Sequence, residues 1–165
     1  MNANGTPDET AATTEENAAP TLAVVAQYVK DLSFEVPGAP AVYAAQQDSQ
    51  PDITVNIDVK ADPVEGDMYE VVLTIHAQCD VKETAAFVCE LSYGGLFTVT
   101  GPQETLQPIL LIECPRLLFP FARNIVADAT RDGGFPPLML APVDFVGMFQ
   151  NQLAQQAAAA QAEEA

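Results

Sequence analysis

The sequence predicts an α+β fold: an antiparallel sheet covered on one side by helices that follow it in the chain. Three observations predict it. Apolar and polar residues alternate with period two in four segments between residues 22 and 100. From position 106 onward the apolar spacing lengthens to three and four residues. Strands and helices occupy separate halves instead of alternating, which distinguishes α+β from α/β.

Residues 1–20 are small and polar, with Asp8, Glu9, Glu15 and Glu16 and no large aliphatic side chain after Met1. They do not bury enough apolar surface to offset the entropy of ordering, so a disordered acidic tail is predicted. In the first strand, Leu32, Phe34 and Val36 alternate with Asp31, Ser33 and Glu35. Pro37-Gly38-Ala39-Pro40 breaks it and opens a long connection over 38–51, and long connections in compact domains often carry function. Ile53, Val55, Ile57 and Val59 mark the second strand. Tyr69, Val71, Leu73, Ile75 and Ala77 mark the third, and Phe87, Cys89, Leu91 and Tyr93 the fourth. Asp62-Pro63, Gly66-Asp67 and Gly94-Gly95 read as breakers. One apolar and one polar face per strand means a sheet covered on one side only.

In the helical half, Leu118, Phe121, Ile125 and Ala129 form the stripe, flanked by Leu117 and Val126. Pro115 suits a first helical turn, Pro120 is expected to kink or delay the helix, and Gly133-Gly134 is the expected stop. A second helix is expected from near Pro142, presenting Val146, Phe149 and Leu153. The Ala/Gln-rich end, closing on Glu163-Glu164, reads as a fraying helical extension. The resulting division is a tail over 1–20, a domain over 21–155 and a C-terminal tail over 156–165.

The chain has 165 residues, 48% of them apolar, with 23 acidic and 6 basic side chains and a formal net charge of −17. One domain is expected at this length. The negative field excludes polyanionic partners such as nucleic acid, opposes anionic membrane surfaces, and favours basic partners. No apolar run reaches the roughly 18 residues of a membrane span. The start, Met1 to Gly5, lacks the basic and apolar regions of a secretory signal. Cys79, Cys89 and Cys114 are odd in number and lack CxxC spacing, so reduced thiols in a cytoplasm are expected.

Catalytic motifs are missing. His76, the single histidine, lies mid-strand on the polar face with no nucleophile signature near any Ser or Cys, and reads as structural or solvated. The cysteines read as small buried apolar residues. Neither double glycine belongs to a phosphate-binding loop. No enzyme activity, metal or cofactor is expected.

Two features remain. Asp31 and Glu35 lie about 13 Å apart on one strand face at ~3.3 Å per residue, and Glu90 on another strand joins them; this is either a solvated face or a docking site. The last third is rich in large apolar residues, Phe119, Phe121, Phe135, Met139, Leu140, Phe145, Met148 and Phe149 among them. Either they complete core and oligomer contacts, or they line a groove for apolar ligands. A carrier or small enzyme using His76 and the thiols, and a purely structural oligomer, are the competing readings.

Several segments carry a family resemblance. They are Tyr28-Val29-Lys30-Asp31-Leu32-Ser33-Phe34-Glu35-Val36-Pro37, Tyr69-Glu70-Val71-Val72-Leu73, Ala86-Phe87-Val88-Cys89-Glu90-Leu91 and Gly94-Gly95-Leu96-Phe97. Cys114-Pro115-Arg116-Leu117-Leu118-Phe119-Pro120-Phe121-Ala122-Arg123 and Gly134-Phe135-Pro136-Pro137-Leu138-Met139-Leu140-Ala141-Pro142-Val143-Asp144-Phe145 continue them. In order and spacing the chain closely resembles the SecB family of bacterial protein-export chaperones over about residues 22–155.

That resemblance implies a four-stranded antiparallel sheet with two C-terminal helices, assembled as a dimer of dimers. It implies an ATP-independent holdase that binds unfolded precursor proteins in the cytoplasm, keeps them translocation-competent and delivers them to the SecA translocation ATPase. Matched to the motif, the SecA-binding residues are Asp31, Glu35, Val88 and Glu90; a leucine is common at position 88, and valine keeps the apolar contact. The family's zinc belongs to SecA's basic tail, so no metal is implied here. Val42 and Tyr43, with Phe145, Met148 and Phe149 of the second helix, are the expected walls of a client groove. Phe87, Cys89, Leu91, Leu118, Phe121 and Ile125 are the expected tetramer-interface residues.

Overall fold

A computed structural model describes residues 18–163 of the chain; the acidic stretch over 1–17 and the last two residues lie outside them. Four strands, β1 (Thr21–Glu35), β2 (Asp52–Glu65), β3 (Met68–Val81) and β4 (Thr84–Thr100), form one antiparallel sheet in the order β1-β4-β3-β2. Between β1 and β2 lie a short helix, α1 (Val42–Ala45), and a 3-10 turn over 46–48. After the sheet come α2 (Gln103–Pro108), a wide π-helical turn over 109–113, α3 (Cys114–Asp132) and α4 (Phe145–Glu163). The α+β class and the one-sided sheet agree with the sequence reading. α4 starts at Phe145, where the Asp144 carboxylate accepts from the Gly147 N–H at 3.0 Å, and continues through the Ala/Gln-rich stretch to Glu163.

The inner face of the sheet is the core. Val71, Leu73, Ile75 and Ala77 of β3 and Cys89, Leu91 and Phe97 of β4 have no exposed surface. α3 covers them with Cys114, Leu118, Ala122 and Val126. The π turn precedes Pro115, and the Cys114 N–H bonds to the carbonyl of Ile109, five residues back. The wider turn accommodates a ring that has no N–H to give and crowds the preceding carbonyls.

The structure corrects three expectations here. Gly94-Gly95 does not end a strand: β4 runs through both. A Cβ at Gly94 would lie 2.6 Å from the Tyr28 ring, and one at Gly95 2.5 Å from Phe97 and 2.8 Å from Leu118, so these glycines permit close packing across the sheet. Pro120 does not delay α3, which starts at Cys114 and continues past it to Asp132. Phe121 does not join the buried stripe; it is 51% exposed, because the buried side of α3 follows Leu118, Ala122 and Val126.

Candidate functional site

The polar side chains of the sheet collect on its uncovered outer face. Register places Glu35 opposite Val88, Ser33 opposite Glu90, and Asp31 opposite Ser92 on the β1–β4 pair. β3 continues these rows with Gln78, His76 and Thr74, and β2 with Thr54, Asn56 and Asp58. Asp31, Glu35, Val88 and Glu90 are thus neighbours on one flat surface. The three carboxylates are exposed and Val88 is half-buried between them. The β-bulge between Val29 and Asp31 turns Lys30 to the same face.

Further along the face, Glu70 accepts hydrogen bonds from Lys30 Nζ and the Tyr28 hydroxyl. These bonds, Lys30's first, hold the Glu70 carboxyl below the usual carboxylate range. Burial, and then the bond to Glu70, push the Tyr28 hydroxyl up to about 12. A carboxylate with a depressed folded pKa adds stability above its unfolded value and loses it as the pH falls through the folded one. Glu70→Gln is therefore expected to lower stability by up to about 1 kcal/mol at neutral pH and by almost nothing in strong acid. Urea unfolding at the two pH values measures the difference.

The apolar site lies on the other side of the sheet. The connection after α3 is held extended across the sheet edge: Phe135 N–H bonds to the Thr130 carbonyl at 3.1 Å, and Leu138 N–H to the Thr130 hydroxyl at 2.9 Å. Pro136 and Pro137 prevent it from continuing as helix. A cavity of about 250 Å³ opens between this segment, Ile53 of β2, Cys79 and Phe87, and Gln46 and Pro51 of the long connection. Its walls are almost wholly apolar, and the buried Gln46 Nε2 has no hydrogen-bond partner. Tyr43 flanks it, its ring 5.6 Å from Phe135 and its hydroxyl donating to the Gly133 carbonyl at 2.8 Å. A second opening of about 330 Å³ lies between β2 and α4, lined by Val59, Leu111, Met148 and Phe149 together with the polar Asp58, Asn151, Gln152 and Gln155.

Tyr43 therefore stands beside the apolar cavity and Met148 and Phe149 at an opening of mixed polarity, but Val42 and Phe145 do not form groove walls. Both are buried: Val42 packs into the core beside Gly38, and Phe145 meets Phe119 edge to face at 6.1 Å. Four expected tetramer-interface residues are also reassigned. Cys89, Leu91 and Leu118 lie inside the protomer's own core between the sheet and α3 with no exposed surface, and Phe87, 2% exposed, packs in the same core beside the cavity. Phe121 is exposed and Ile125 half-buried. The reading of residue patterns named Phe135 only among residues of either a groove or a core, and missed Ile53, Pro136, Pro137 and Leu138. Their signal was an apolar run interrupted by paired prolines, which is unperiodic because it is neither strand nor helix.

The three thiols are buried and raised above their usual range, chiefly by that burial, Cys114 to about 12. Among the described residues, no helix is long and apolar enough to cross a membrane.

The family model for SecB, the preprotein translocase subunit, matches residues 15–156. The chain belongs to the SecB family. It is 53% identical to the protein-export protein SecB of Afipia carboxidovorans over 151 residues, covering 91% of this chain and 93% of that one. It is 57% identical to that of Maricaulis maris over 143 residues, covering 86% and 83%. The Mycobacterium tuberculosis SecB-like chaperone Rv1957, solved in complex with a ChAD peptide from the HigA1 antitoxin, has the same fold. Its TM-score is 0.57 at 20% identity, over 74% of this chain and 91% of that chain. Membership in the SecB family makes this chain a protein-export chaperone.

Proposed function

We propose that this SecB-family chain is an ATP-independent holdase of the cytoplasm. It grips unfolded precursors in its apolar groove and presents its acidic sheet face to SecA, which takes the precursor onward. The observation that carries the reading is the opposite chemistry of the two sides of one sheet. Carboxylates stand in adjacent rows outside, and Ile53, Phe87, Phe135 and Leu138 enclose an apolar cavity inside.

Burial of apolar client surface contributes about 25 cal/mol per Å², so a few hundred Å² holds a segment without nucleotide. Folded proteins have already buried such surface, and the holdase withdraws the unfolded state from folding. The exposed carboxylates Asp31, Glu35 and Glu90 supply a field for the Lys and Arg of a basic tail, with Val88 as the apolar contact among them.

Assembly as a dimer of dimers uses the surface left uncovered at the β1 edge and on α3. Val24, Val29 and Leu32 of β1 and Leu117 and Phe121 of α3 are large, apolar and exposed. Phe121 stacks on Tyr93 at 6.3 Å, which joins the two groups. Ile125 flanks them on α3.

The test is the refolding of a denatured secretory precursor with and without excess protein. Arrested refolding is expected, and unchanged refolding overturns the reading. Ile53→Asp, at a position 43% exposed where the fold tolerates it, is expected to weaken client binding about tenfold while leaving SecA binding intact.

A further inference from the structure

The outer face also carries His76, which has no place in the docking set described above. It stands on β3 in register with Glu90 of β4, and its Nδ1 lies 3.0 Å from Glu90 Oε1. The two side chains are 35% and 58% exposed, so both meet whatever lands on this surface. β2 places Asn56 directly opposite His76, with Asp58 in the next row. On the other side, Ser33 of β1 pairs with Glu90 between Asp31 and Glu35, and β4 contributes Val88 and Ser92. β3 itself contributes Thr74 and Gln78, the latter bonded to Asp80. The ionisable groups in these rows are carboxylates; Lys30 and Lys60, further along the same face, are paired with Glu70 and Asp62.

We propose that His76 is a positioning and specificity-determining residue of the docking face. Its neutral ring fixes the Glu90 carboxylate through Nδ1–H, and its imidazolium cancels part of the charge that a basic partner reads. The inference rests on the reading of this face as the SecA-docking surface. Histidine ordinarily changes charge between pH 5 and 8. A lysine or arginine brought against the protonated ring meets a like charge, so partner binding and ring protonation oppose each other. Affinity for a basic partner therefore falls when the ring takes up a proton, and partner binding expels that proton.

The experiment compares SecA affinity at pH 8 and pH 5.5 for the full-length wild type, His76→Ala and His76→Lys. Titration of SecA itself, and of the other carboxylates, is common to wild type and alanine variant and cancels between them. The wild type is expected to lose about two- to fivefold more affinity on acidification than His76→Ala. His76→Lys, with a permanent cation beside Glu90, is expected to be weaker than wild type at pH 8 by a similar factor. Equal losses in wild type and His76→Ala, with SecA bound at pH 8, overturn the inference alone. A wild type that does not bind SecA at pH 8 overturns the docking reading and the inference together.

Discussion

Glu90→Lys is expected to weaken SecA binding by at least about tenfold, since like charges brought together at an interface are strongly unfavourable. Glu90 sits between Ser33 and His76, one row from both Val88 and Ser92. Lysine there removes a negative charge from the docking set and adds a positive one. The new ammonium also lies near Asp31 and Glu35 and competes for them with the partner's own cations. The side chain is exposed and its ion pair with His76 is a surface one, so the change in stability is expected to stay within about 0.5 kcal/mol. Client binding is expected to be unchanged, because the apolar cavity opens on the opposite side of the sheet. SecA binding by anisotropy and suppression of precursor refolding, measured on the same preparation, separate the two. Equal loss of both refutes the division of labour between the faces.

Gly95→Val is expected to destabilise the protein by about 3 kcal/mol, at the upper end of what overpacking a core costs. The first added carbon alone falls 2.5 Å from Phe97 and 2.8 Å from Leu118, and neither neighbour has room to retreat, since both have no exposed surface. The sheet and α3 are pushed apart where Gly95 faces Leu118. Urea unfolding reads the loss directly, and a variant within 0.5 kcal/mol of wild type shows that α3 has more freedom than the packing implies. Gly66, in the β2–β3 turn, has φ +55° and nothing near its missing Cβ. A side chain there meets backbone strain without a clash.

Alternation made the sheet legible because each strand has one wet face. Ile53 to Val59, Tyr69 to Ala77 and Phe87 to Tyr93 lie in strands and on the faces that periodicity assigns them. The β3–β4 hairpin was not legible: its turn is Lys82-Glu83, both at positive φ, with no Gly, Asn or Pro to announce it. Gly94-Gly95 misled for the converse reason, since a glycine that admits a neighbouring ring reads the same in sequence as one that bends the chain. The acidic set needed only the period of a strand and cross-strand register. The groove needed three segments far apart in the chain, around 46–53, 79–87 and 135–138, and no periodicity links them. For the same reason the expected interface residues divided. A stripe of apolar residues looks identical in sequence whether its own protomer covers it or not; Leu118 is fully buried in the core and Phe121 stays exposed.

On β4, Phe87 forms part of the cavity wall, and Val88, the very next residue, points the other way into the docking set. The proposed client wall and the proposed SecA seat are thus carried by consecutive residues, about 3.3 Å apart along the strand. Because neighbouring side chains leave a strand on opposite faces, a substitution at either position alters one proposed surface without placing a side chain on the other.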